Sequence, residues 1–161
     1  MWQARTARSI RRIALPVLAC ALASPAVGQT SDLHKLLVEA DRIAWLRAWT
    51  RAEPLYAQAT RGFTAAGDRR NALYAEVSQL RGKLPTLAVP EVSERLAAYL
   101  DEPLVQRDDR LRLRVLIIKG ETDADLDPAL SQRSWTEALG IAEKLGEAGW
   151  ANRARAEIGL A

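Results

Sequence analysis

Between Trp49 and Val77 the chain reads WTRAEPLYAQATRGFTAAGDRRNALYAEV, and this stretch restricts the possible folds more than any other. Small or apolar residues at Ala52, Leu55, Tyr56, Ala59, Phe63 and Ala66 follow the three, four and seven spacing that lines one face of an α-helix. Gly67-Asp68 interrupts the stripe, and Ala72, Leu73, Val77 and Leu80 resume it. Two short amphipathic helices on either side of a tight turn bury their stripes by folding back on each other. The stretch therefore predicts a helical hairpin, the unit from which helical arrays are built.

The flanking sequence extends the helical reading. Ser31 suits the N-cap of a helix carrying Leu33, Leu36, Leu37, Ala40, Ile43 and Ala44 and ending near Arg47. Thr50 stands three residues before Glu53, the capping-box spacing, which would leave Pro54 in a tolerant first turn. Gly82 and Pro85 end the hairpin's second helix near Lys83, and Leu84 to Pro90 connects it onward. Pro90-Glu91 opens a helix with Val92, Leu96, Tyr99 and Leu100 on its buried face, which Pro103 ends.

The run RDDRLRLRVLIIKG alternates like an edge strand, yet Leu111, Val115 and Ile118 also fit a helix. The helix is preferred, because no second strand-like run could pair with an isolated strand. Asp123, Asp125 and Asp127 begin like a calcium loop, but Pro128 and Ser134 occupy the positions where such a loop needs glycine and glutamate. Asp127 reads instead as the N-cap of a helix with Pro128 first and Trp135, Leu139, Ala142 and Leu145 inward. Gly146 to Gly149 turns the chain, and Trp150 begins a last helix.

Residues 1–28 have the layout of a signal peptide. Arg5, Arg8, Arg11 and Arg12 precede the apolar run IALPVLACALA, and Ala26 and Gly28 place the cut before Gln29. The run spans eleven residues, against about 20 for a membrane-crossing helix, so no stable transmembrane anchor is expected. Without those four arginines the 23 basic residues become 19 against 20 acidic ones, so the net charge of +3 turns slightly negative. The basic excess belongs to the leader, and nucleic acid is not an expected partner. Cys20, the only cysteine, also falls in the leader; Val17-Leu18-Ala19-Cys20 allows an alternative in which Cys20 is lipidated. The expected location is the periplasm or cell envelope, and residues 29–161 form one helical domain.

Few side chains suit catalysis. His34 is the only histidine, and with no cysteine after the leader the usual zinc ligand sets cannot be assembled. The glycines at 62, 67 and 82 read as turns or helix ends, not as a phosphate-cradling loop. Asp108-Asp109 suits a helix start. Arg107, Arg110, Arg112 and Arg114 could hold an acidic peptide or a lipid headgroup, but read first as a solvated helix face. The four tryptophans beyond the leader read as packing between helices. The sequence thus predicts no enzyme, no metal and no cofactor.

The end of the chain echoes the hairpin. Trp49-Thr50-Arg51-Ala52 returns as Trp135-Thr136-Glu137-Ala138, and Asn71 with Ala75-Glu76-Val77 returns as Asn152 with Ala156-Glu157-Ile158. Residues 90 to 120 leave room for one more hairpin between the copies, giving about three, near the minimum for a stable array. At Tyr56, Ala59, Phe63, Gly67-Asp68 and Ala72 the chain resembles the tetratricopeptide repeat family in its longer-helix variant, over roughly residues 32 to 161. The resemblance implies an all-α, right-handed stack of antiparallel hairpins whose groove holds a protein or peptide. Asn71 and Asn152 are the candidate groove contacts, since an amide can pair with peptide backbone, although helix-start hydrogen bonding is the simpler account of both. A rival expectation is the front end of a longer enzyme or signalling protein, suggested by a final helix without a polar cap. A lipid-anchored assembly factor rests on Cys20 alone.

Overall fold

A computed structural model describes residues 26–160, and these form eight helices and no strand. They are α1 (Ala26–Trp45), α2 (Trp49–Ala65), α3 (Arg69–Gly82), α4 (Val89–Leu100), α5 (Pro103–Arg107), α6 (Asp109–Asp123), α7 (Pro128–Leu145) and α8 (Ala148–Leu160). The apolar leader and Cys20 lie outside the described residues, while Gly28 and Gln29, the expected cleavage junction, fall in the first turns of α1.

The expected hairpin is α2 and α3. Gly67 turns the chain with a φ of +73°, which L side chains rarely adopt, and Asp68 caps α3 by accepting from the Asn71 amide. Ala52, Tyr56, Ala59 and Phe63 of α2 meet Ala72, Leu73 and Val77 of α3 in one core, with Leu37, Ala40 and Ala44 of α1 on the other flank. The α7–α8 pair repeats the arrangement, with Gly146 at a φ of +71° and Asp127 capping α7 through the Ala129 amide.

Helix α6 divides the interior. Leu111, Val115 and Ile118 belong to the core shared with α1 to α5, whereas Leu113, Leu116 and Ile117 belong to the core built with Trp135, Ala138, Ala142, Ala151 and Ala154. Its alternating leucines arise because both sides of the helix are buried, which resolves the strand-or-helix ambiguity. Gly120 permits the close approach of α7: a Cβ there would lie 2.7 Å from Trp135 Nε1.

Several local expectations are corrected. Ser31 is not an N-cap, because α1 already runs from Ala26. The Thr50–Glu53 box does not form: α2 begins at Trp49 after Ala48 without a side-chain cap, Glu53 accepts from Gln79 of α3, and Pro54 lies inside the helix. Gly62 is inside α2, not at a turn, with the Leu33 side chain against it. The middle unit is three helices, because Pro103 both follows α4 and starts the short α5, and α6 packs on α3, α4, α5 and α7.

Candidate functional site

The side chain that organises the interior charge is Arg114, 3% exposed in the middle of α6. This corrects the reading of the arginine run as a solvated face. Arg110 is exposed and Arg112 pairs with Glu137 of α7, but Arg114 turns inward. Its Nε donates to Ser78 Oγ at 2.7 Å, and its Nη2 donates to Asp41 Oδ1 at 2.9 Å and to the Tyr56 hydroxyl oxygen. Tyr56 and Tyr74 in turn donate to the two oxygens of Asp41, at 2.6 and 3.0 Å. The guanidinium also faces the rings of Tyr74, Trp49 and Tyr56, with 4.9 Å to the Tyr74 centroid. Four helices, α1, α2, α3 and α6, thus converge on one cation.

The environment fixes the charge states. Burial alone would lower the Arg114 pKa, but Tyr74, Tyr56, Asp41 and Glu121 more than offset it, so the guanidinium stays protonated. Burial, with the Asp41 carboxylate, pushes both the Tyr56 and Tyr74 phenols well above their ordinary value. Both remain neutral hydrogen-bond donors.

Arg114 is also part of the floor of a pocket of about 240 Å³ between α3, α6 and α8. Leu113 and Ile117 of α6, Tyr74 of α3 and Trp150 of α8 form its walls, with Arg110 and Glu147 also lining it. Arg110, Leu113, Arg114 and Ile117 occupy one face of α6 at helical spacing. At the α1–α2 corner, Trp150 stacks edge-on against Trp45, 4.8 Å between centroids, and Arg153 lies over both rings while donating to the buried Glu121 at 2.7 Å. Arg47, left-handed at φ 60°, pairs with Glu157 of α8. The tryptophans do pack between helices, as expected, and two of them also position this pocket.

Asn71 and Asn152 are not brought together. Asn71 donates to Asp68 Oδ2 at 2.7 Å and contacts His34 Nε2 at 3.4 Å, so its amide serves the start of α3. Asn152 accepts from Arg155 and borders a separate depression between α7 and α8. Their sequence equivalence does not carry into packing: Asn71 directly precedes the buried Ala72, Asn152 directly follows the buried Ala151, and Ala156 is exposed where Ala75 is buried. His34 is exposed on α1, its Nδ1 donating to the Thr30 carbonyl and its Nε2 facing the Asn71 amide nitrogen, with its ring edge-on to Phe63.

A Ser-Lys-Asp cluster, absent from the sequence reading, joins α4 to α6. Ser93 Oγ donates to Asp123 Oδ1 at 2.6 Å, and Lys119 Nζ donates to both Ser93 Oγ and Asp123 Oδ2. A nucleophilic serine needs a base to take its proton. Here the lysine is a donor to the serine and is paired with the buried carboxylate, so the cluster works as a polar tie between helices. Among the described residues no group of His, Cys, Asp and Glu could hold a metal ion, and no helix is long and apolar enough to cross a membrane.

The sequence signal for Arg114 is its place between Leu113 and Val115 in an apolar run, and for Asp41 its place beside Ala40 in the stripe of α1. A charge embedded in a buried stripe points to a partner charge on another helix, but does not say which. No protein-family model matches the chain, and no significant match is found among curated proteins or solved structures.

Proposed function

We propose that this is an exported scaffold of the tetratricopeptide type that binds a protein or peptide on the face where α3, α6 and α8 meet and performs no catalysis itself. In this reading the hairpins stack with a right-handed sense, α2–α3 and α7–α8 being the outer repeats. The observation that carries it is the pocket over Arg114, which combines apolar walls with polar groups set at fixed positions by several helices, the usual make-up of a ligand site. The mixed helical packing around it holds those groups on rigid elements, which favours recognition of a partner over a chemical step.

The test is selection of displayed peptides on the purified full chain, followed by binding measured for Trp150→Ala and His34→Ala. Selected peptides should lose affinity with Trp150→Ala and keep it with His34→Ala, both variants retaining full helical circular dichroism. Turnover of a substrate by the purified chain without a partner would overturn the reading. The leader is tested separately by terminal sequencing of the exported protein: Gln29 is the expected first residue, and a lipidated Cys20 would instead favour the anchored assembly factor.

A further inference from the structure

We infer that the pocket between α3, α6 and α8 is a monoanion site that takes a carboxylate carried beside an apolar group, with Arg114 at its floor and Arg110 at its mouth. The inference rests on the binding role proposed above and gives it a ligand chemistry.

Three observations carry it. The first is the unfilled part of Arg114. Its Nε and Nη2 are engaged by Ser78, Asp41 and Tyr56, whereas its Nη1 donates to none of the described residues, although the side chain is almost wholly buried and lines the pocket. A guanidinium edge with no protein acceptor in the wall of a pocket has a planar carboxylate as its natural complement.

The second is the mouth. Arg110 faces Glu147 at 3.8 Å, beyond hydrogen-bond range, and both side chains are substantially exposed. A carboxylate is therefore already held there loosely, and an incoming one can replace it while Glu147 turns to water. With Glu147 displaced and Glu121 already paired with Arg153 and Arg81, Arg114, Arg110 and Asp41 leave a single positive charge among themselves, which one carboxylate neutralises. A dianion such as phosphate would leave a negative charge over in a partly apolar pocket.

The third is the walls. Trp150, Tyr74, Leu113 and Ile117 offer an aromatic and aliphatic surface beside the cations, so a bare inorganic ion would forgo most of the available contact. The ligand is an acid with an apolar neighbour, whether a side chain within a peptide, a chain terminus or a free small acid.

The experiment titrates the isotope-labelled full chain with N-acetyl-leucine and, separately, with N-acetyl-leucinamide, following the Trp150 indole resonance assigned through Trp150→Phe. The acid should shift that resonance saturably, and the amide should bind at least about tenfold more weakly, as loss of a charge-assisted hydrogen bond dictates. Glu147→Gln, which removes the competing carboxylate, should tighten the acid by about threefold, and Arg110→Gln should weaken it by a similar factor, the scale of an exposed ion pair. A purely structural role for these residues would move neither value. Arg114→Lys, which keeps the charge but not the planar fork, should weaken the acid by about tenfold; if that variant does not fold, the Glu147 and Arg110 pair still decides.

Equal binding of acid and amide, no tightening by Glu147→Gln, or tighter binding of inorganic phosphate than of the acid would each overturn the inference. Acetyl-Leu-Glu-Leu-amide against acetyl-Ala-Ala-Leu with a free terminus separates a side-chain source from a terminal one. If displayed peptides are selected but acid and amide bind alike, the anion site falls and the scaffold reading stands. If no peptide is selected but the acid binds, the anion site stands for small acids and the scaffold reading falls.

Discussion

Asp41→Asn is the most informative single change in this fold. It is isosteric, so it removes a charge and almost no packing. Asp41 accepts from Tyr56, Tyr74 and Arg114, and its side chain is 34% exposed, whereas the Arg114 side chain is 4% exposed. Removing one partner of a buried ion pair costs about 3–5 kcal/mol, because the other charge is left without compensation. Solvent reaches Asp41, and the one acceptor oxygen that Asn keeps can still receive Tyr56 and Arg114, so a loss of about 2 kcal/mol is the appropriate scale here. In urea unfolding followed by tryptophan fluorescence, that lowers the midpoint by about 1 M.

The decisive measurement is the second step of the cycle. Arg114→Met added to Asp41→Asn removes the stranded charge and should restore about 1 kcal/mol, so that the double variant is more stable than Asp41→Asn alone. If the two losses simply add, Arg114 is not an uncompensated buried cation in the single variant, and the electrostatic account of the four-helix junction is wrong.

Other consequences are independent of this junction. Gly120→Ala should destabilise by about 1–3 kcal/mol in thermal unfolding despite alanine's better helix propensity, because the new methyl meets the Trp135 indole; an unchanged or raised melting temperature would show that α7 yields readily. Burial opposes ionisation of Asp108, but Arg70 and the Leu111 and Arg110 amides prevail and hold its pKa below the ordinary 3.8. Its contribution is therefore present above that value and lost as pH falls through the lower folded value, so Asp108→Asn should flatten the stability curve below about pH 4. Burial raises all three tyrosines, Tyr56, Tyr74 and Tyr99, the last also through Glu76. Their folded values lie above the ordinary 10.0, so stability declines as pH rises past it, and tyrosinate absorbance should appear only together with loss of helical circular dichroism.

Much of the secondary structure is legible in the chain because its signals are local. The α2 stripe, the Gly67 turn, the Asp127 cap and the α7 start each depend on a few neighbouring residues, and each lies where those residues place it. The Thr50–Glu53 box is equally local in appearance, but Glu53 is taken by Gln79 from the next helix, a competitor 26 residues away. The sequence repeat matches in burial at Trp49 and Trp135, but Trp49 opens α2 whereas Trp135 lies in the middle of α7. Its second half misleads, since the burial register of α8 differs from that of α3.

The candidate site was not legible. Sequence spacing determined that α6 carries arginines at 110, 112 and 114; only the packing of α1, α2 and α3 against α6 decided which of them is buried. A helix with one covered face announces that face by its period, but α6 is covered on both sides, so the period is lost and the inward charge looks like its neighbours. What sets Arg114 apart is Asp41, 73 residues earlier, and no local interaction links the two. The chain by itself determined that it folds as packed helices, because the pattern that selects a helix is written within a few turns. Which charges meet at its centre depends on how those helices are brought together, and that is fixed by tertiary packing alone.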